Sequence, residues 1–164
     1  MTLAGKTLFI SGASRGIGLA IALRDVCVNN ASAINLSGTE ALEIRRYDLM
    51  QSINTRGTFV VSRACIPHLK RSVNPHILTL WPRTLIATAA VQNLLGGDVA
   101  MARARRPELY SDAAYAVITR PSRDCTGNAF LCEDVLSAEG VTDFGPYAYQ
   151  PGAEPQADLF VDHV

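Results

Sequence analysis

The sequence predicts an α/β fold, a doubly wound parallel sheet, on three observations. A short run of β-branched and aromatic residues, Lys6-Thr-Leu-Phe-Ile10, lies between Gly5 and Ser11-Gly12, the pattern of a strand buried on both faces. A glycine turn, Gly12-Ala-Ser-Arg-Gly16-Ile-Gly18, follows directly, and Leu19 to Leu23 continue it as helix formers. Further along, short apolar runs alternate with longer helical tracts, the order of strands joined by crossover helices.

Taken in order, Asp25-Val-Cys-Val28 is a second buried strand with a polar exit, Asn29-Asn30-Ala31-Ser32. A helix is predicted from about Glu40 to about Arg71, with Leu49, Ile53, Val60, Val61, Ala64, Cys65 and Leu69 as its apolar stripe and Pro67 bending it. Asn74-Pro75 makes a turn into a third strand, His76-Ile-Leu-Thr-Leu80, which Trp81-Pro82-Arg83-Thr84 ends. A helical tract then carries Arg103, Arg105 and Arg106 as a solvated face, and a compact helix runs from Ser111 to Ile118, N-capped by its own first residues and stopped by Pro121. Thr126 to Cys132 supplies a last strand. From about residue 135 the chain is punctuated by Gly140, Gly145-Pro146, Pro151-Gly152 and Pro155, and reads as an extended tail of one single domain covering 1–164.

Composition narrows the function. With 48% hydrophobic and 18% charged residues in 164, the chain has material for a core and is not disordered. Fifteen basic against fifteen acidic side chains leave no field that would gather nucleic acid or an anionic membrane, so the expected ligand is small, apolar or both. Cys27, Cys65, Cys125 and Cys132 show no paired spacing, which favours a reducing cytoplasm and inert thiols over disulfides or zinc. No stretch approaches the ~20 apolar residues of a membrane span, and the first residues do not read as a signal peptide.

The glycine turn is the most informative motif. A helix opening at the end of a parallel strand aims free N–H groups and its dipole at whatever lies above, which suits a diphosphate. Gly12 permits backbone angles that side chains resist, Gly16 permits close approach to phosphate, and Gly18 permits tight packing of helix on sheet. Ser14 and Arg15 can add contacts, and Arg15 favours the 2′-phosphate of NADP. His68 and His76 read as surface or capping residues, and Asn54 as a buried polar group bonded to backbone. Glu133-Asp134, placed in a strand, point to opposite faces and are no metal site.

With its strand, Ile10-Ser-Gly12-Ala-Ser-Arg-Gly-Ile-Gly18 resembles the fingerprint of the short-chain dehydrogenase/reductase family, which is Rossmann-like. Val28-Asn-Asn-Ala-Ser32 is similar to the family's Asn-Asn-Ala-Gly element, with Ser32 for Gly, and Ile53-Asn-Thr-Arg-Gly57 to its segment bearing a catalytic Asn. Trp81-Pro-Arg-Thr84 resembles its Pro-Gly turn at the nicotinamide, with Arg83 for Gly, and Thr126 to Asp134 its final strand. Asn29 to Ile34, Ala64 to His68 and Leu80 to Thr84 most resemble the hydroxysteroid dehydrogenase-like type 2 subgroup.

The resemblance implies an oxidoreductase moving hydride between NADP or NAD and a carbonyl or alcohol, possible substrates including lipid-like ones, in a homo-oligomer, dimer or tetramer, whose interface includes the Glu40–Arg71 helix. It implies Asn54 as a catalytic residue, and Ser11, Gly12, Ser14, Arg15, Gly16, Ile17, Gly18, Asn30, Ala31, Ser32, Pro82 and Thr84 as cofactor contacts. The family's Tyr with Lys four residues on is absent: Tyr47, Tyr110 and Tyr115 are followed at that spacing by Gln51, Ala114 and Thr119, and Tyr147 and Tyr149 lie in the tail. Trp81 stands where its Ser should follow Leu80, and the residue that reads the ribose is missing too. The fold is thus expected to be incomplete as written, with two internal segments missing, between Leu23 and Asp25 and between Leu80 and Trp81. Two alternatives remain: a nucleotide-binding or scaffolding protein without turnover, and a dimerisation module built on the long helix.

Overall fold

The computed structural model describes residues 8–11, 26–159 and 161. Strands β1 (Leu8–Ser11), β2 (Val26–Asn29) and β3 (His76–Leu78) form a parallel sheet in the order β1-β2-β3. The register sets Leu8 against Val26, Ser11 against Asn29, and Val26 against His76. Val26, Cys27 and Val28 are all buried, as expected of a parallel strand covered on both faces. Burial pushes the Cys27 thiol up to about 12, helped by contact with Cys65, so Cys27 is an inert core thiol.

The crossover from β2 to β3 contains the long helix, in three parts: α1 (Ile44–Met50), a π-helical stretch (Gln51–Gly57) and α2 (Thr58–Leu69). Pro67 lies in the last turn of α2, which ends two residues later. None of its side chains is fully buried, and Tyr47, Leu49, Phe59, Val60 and Ile66 are exposed. Of the predicted stripe, Ile53, Val61, Cys65 and Leu69 are half-buried and Leu49, Val60 and Ala64 are exposed, so the helix leaves part of its apolar surface to solvent.

The third strand does not run from His76 to Leu80. It stops at Leu78, and after Thr79 a separate strand, β4 (Leu80–Trp81), pairs in parallel with β5 (Phe130–Leu131) in a second sheet. A bond from Phe130 N–H to Thr79 O (3.3 Å) spans the break. His76 is buried at the start of β3, not on the surface. The chain passes directly from Leu80 to Trp81 within one strand; residues 23–25, at the other suspected join, lie outside the described residues.

Most of the core is built by α5 (Glu108–Thr119) against α7 (Cys132–Ala138), with α3 (Ala89–Leu94), α4 (Gly97–Ala102) and α6 (Ser122–Cys125) between the sheets' connections. Leu109, Ala113 and Val117, spaced four apart, and Ala114 face inward. The two alanines let α7 approach closely, and Cys132 beside them has no exposed surface. This helix starts three residues before the expected Ser111. Pro107 presets the helical φ there and Glu108 suits the first turn, while Ser111 Oγ donates to Glu108 O (3.0 Å). Asn74 closes the far end: its amide donates to Ile118 O and Arg120 O and accepts from Ser122 N–H (2.7 Å). Tyr110 donates its hydroxyl to Leu80 O (2.7 Å), pinning α5 to β4.

Two expectations fail beyond α5. Phe130-Leu131 is all that remains of the predicted strand, since Cys132 already opens α7 and irregular chain begins only after Ala138. The Arg103–Arg106 segment follows α4 rather than riding on a helix. Arg103 donates to Glu154 O, Arg105 to Phe144 O (2.6 Å) and Arg106 to Pro146 O. Arg105 also lies over the Phe144 ring, 5.4 Å from its centre, and burial lowers its proton affinity, partly offset by Glu133 and Asp143. The run is a clamp on the C-terminal segment, which further joins the domain through antiparallel bridges Thr84–Ala157 and Arg105–Ala148. No helix among the described residues is long and apolar enough to cross a membrane.

Three outcomes follow. Tyr110→Phe should lower unfolding free energy by about 1 kcal/mol in urea titration, the net worth of one hydrogen bond. Arg105→Leu should speed limited proteolysis within residues 141–157, leaving the tail's carbonyl unpaired. Burial raises the proton affinity of Cys27, Cys132, Tyr110 and Tyr147. Between the unfolded values near 9–10 and the folded ones, the native state binds more protons than the unfolded. The contribution of these four groups is therefore constant below about pH 8.5 and is lost as pH rises through about 9 to 12, which urea midpoints across that range will show.

Candidate functional site at the strand exits

Two groups of the predicted site residues are held in place by different parts of the fold. The first surrounds the carboxyl ends of β1 and β2. Parallel pairing brings Ser11 beside Asn29, and the chain turns tightly afterwards, Asn30 N–H donating to Val28 O (3.1 Å). Ala31 and Ser32 are exposed beyond that turn. Asn29 donates to Ser62 Oγ of α2 (2.9 Å), whereas its buried Oδ1 has no hydrogen-bond partner among the described residues. An acceptor left unmet at a strand exit is suited to a ligand that donates.

Asn54, in the π-helical stretch, is exposed rather than buried. Its amide donates to Ala33 O and accepts from Ala33 N–H, both at 2.8 Å. That two-point pairing fixes the loop after β2 to the long helix, so the side chain positions the loop that bears Asn30, Ala31 and Ser32. π-Helical turns are rare and concentrate at functional sites. Gly12, Ser14, Arg15, Gly16, Ile17 and Gly18 lie outside the described residues.

The second group is the turn after β4. Pro82 is buried, and Thr84 is half-buried. The first turn of α7 grips this turn: Glu133 accepts from Arg83 N–H (2.8 Å) and from the Thr84 hydroxyl (3.2 Å), and Asp134 takes both Nε and Nη2 of Arg83 (3.1 and 2.9 Å). Placing these acids in a strand was therefore wrong; on a helix they converge on one target. Adjacent acids in a helix's first turn are a legible start signal, and it was masked by the apolar Phe130-Leu131-Cys132 before them. Among the described residues no three His, Cys, Asp or Glu side chains gather as they would around a metal.

A cleft of about 770 Å³ lies away from these exits, along the edge of β3, between Ile66 and Leu69 of α2 and the segment from Ser122 to Phe130. It contains none of the predicted site residues.

No family profile matches the chain. Among solved structures, a short chain dehydrogenase of Mycobacterium thermoresistibile is 38% identical and superimposes at TM-score 0.88, over 98% of this chain and 96% of that one. A structure from Xanthomonas campestris reaches TM-score 0.91 at 31% identity, over 99% of this chain and 100% of its own. Hydroxysteroid dehydrogenase-like protein 2 of Danio rerio is 37% identical over 182 aligned positions, 84% of this chain and 43% of that protein. The chain thus spans less than half the length of that relative. Since 84% of 164 residues is about 138, about 44 of the 182 positions have no counterpart in this chain. With a solved short chain dehydrogenase 38% identical and covered almost end to end, and with strands and helices arranged as an incomplete Rossmann-like α/β fold, the chain belongs to the short-chain dehydrogenase/reductase family.

Proposed function

We propose that this chain seats a nicotinamide dinucleotide, NADP or NAD, across the exits of its parallel strands, and that its chemistry is hydride transfer between that nucleotide and a small carbonyl or alcohol, lipid-like substrates included. The register of Ser11 against Asn29 carries the reading, because the glycine turn that begins at Gly12 issues from that edge. Gly12, Gly16 and Gly18 would hold the diphosphate, with Ser14, Arg15 and Ile17 adding contacts. Ser11, Asn30, Ala31 and Ser32 line the crevice, and Pro82 and Thr84 face the nicotinamide end. Bound there, the nucleotide would donate hydride to a carbonyl in its reduced form or accept it from an alcohol in its oxidised form. The chain's own residues bind and orient it, and Asn54 maintains the loop at the β2 exit.

Under the same reading residues 1–164 are one dinucleotide-binding domain of a cytoplasmic protein. Its copies meet through the exposed apolar face of residues 44–69, so Val60→Asp should shift a dimer or tetramer towards monomer in sedimentation.

One observation favours a second reading, binding without turnover. Lys6 and Lys70 are the only lysines and neither follows a Tyr by four residues, so no side chain pair of the family's acid/base type is present. Calorimetry and a turnover assay separate the two. Wild-type protein should bind NADPH, and Gly16→Val, which fills the space the phosphate needs, should abolish binding without moving the urea midpoint. Arg15→Ala should cost about tenfold in NADPH affinity and leave NADH unchanged. Reduction of a carbonyl panel by the wild type supports hydride transfer; nucleotide uptake with no turnover leaves the binding role, and no uptake contradicts both.

A further inference from the structure

Glu133 lies in the stretch that resembles the family's final strand, but the resemblance gives it no role, and its setting is specific. It is 8% exposed, and its two oxygens are spent on neighbouring groups of one turn: Oε2 accepts from the Arg83 amide at 2.8 Å and Oε1 accepts from the Thr84 hydroxyl at 3.2 Å. The turn is steadied further by the bidentate Arg83–Asp134 pair, with Nη2 at 2.9 Å from each oxygen. The C-terminal segment adds two bonds, Leu85 N–H to Gln156 O (3.0 Å) and Asp158 N–H to Arg83 O (2.9 Å). An ionised carboxylate accepts and cannot donate. The hydroxyl proton of Thr84 therefore points at Glu133, and the half-buried Thr84 oxygen offers only lone pairs to any ligand that reaches it.

We propose that Glu133 is a positioning residue that sets ligand specificity: by holding the Thr84 proton it makes that hydroxyl an obligate acceptor, so the turn after β4 selects a ligand group that donates, the primary amide of a nicotinamide ring. This rests on the nucleotide reading above. The amides of Arg83 and Leu85 are already engaged, so neither competes for the ligand's acyl oxygen. A neutral amide at position 133 reverses the logic. A glutamine can accept from Arg83 N–H with its oxygen and donate to Thr84 with its nitrogen, which frees the Thr84 proton to point outward.

The test is calorimetric titration of the full chain and of Glu133→Gln and Thr84→Val with three ligands, urea midpoints confirming the fold. The ligands are NADP, its 3-acetylpyridine analogue, in which a methyl replaces the amide nitrogen, and 2′-phospho-ADP-ribose, which has no ring. Wild type should prefer NADP to the analogue by about tenfold, the weight of one well-placed hydrogen bond. In both variants that preference should fall to about twofold or less, with affinity for the ringless ligand unchanged. A variant that keeps the wild-type preference overturns the inference, and so does equal weakening of all three ligands, which marks a purely structural role. If wild type binds the ringless ligand yet treats NADP and the analogue alike, the inference fails while the nucleotide reading survives; if it binds none of the three, both fall.

Discussion

A parallel pair of strands delivers both carboxyl ends to one edge of a sheet, and the register of Ser11 opposite Asn29 brings the predicted site residues to that edge. The constraint reaches well beyond the pair. Parallel strands cannot be joined by a hairpin, and between β2 and β3 the crossover contains the long helix. Asn54 on that helix then ties back to Ala33 by two 2.8 Å bonds, and Ser62 takes the Asn29 amide. The crossover required by topology is thus also the support of the loop at the β2 exit.

The turn after β4 depends on a different contact. Close packing of α5 on α7 through Leu109, Ala113 and Cys132, all without exposed surface, fixes where the first turn of α7 points, and Glu133 and Asp134 follow. β4 pairs with β5 rather than with β3, so the sheet parts after β3. The cleft along the edge of β3 opens at that parting.

What the sequence made legible was whatever is local. Val26-Cys-Val28 reads as a buried strand because all three residues are apolar, and the 44–69 helix because its periodicity is long. Pro107 displaced the start of α5 by one turn, a local signal overlooked in favour of Ser111. The end of β5 was ambiguous, since a short apolar run serves a strand or a helix equally. The Arg103–Arg106 clamp was out of reach, as its partners, the carbonyls of Phe144, Pro146 and Glu154, lie some 40 to 50 residues along the chain. Of the site, the β2 exit and the turn after β4 were legible as motifs, but not that Glu133 holds Thr84. That link joins residues 49 apart and exists only once α7 is a helix.

Trp81 is the only tryptophan, is 46% exposed and directly precedes Pro82, so it reports on the proposed nicotinamide end without any label. The most direct measurement is energy transfer from Trp81 to NADPH. The account predicts quenching of the indole together with sensitised nicotinamide emission that saturates with NADPH and is lost on adding excess NADP. Undiminished Trp81 emission at saturating NADPH would contradict it.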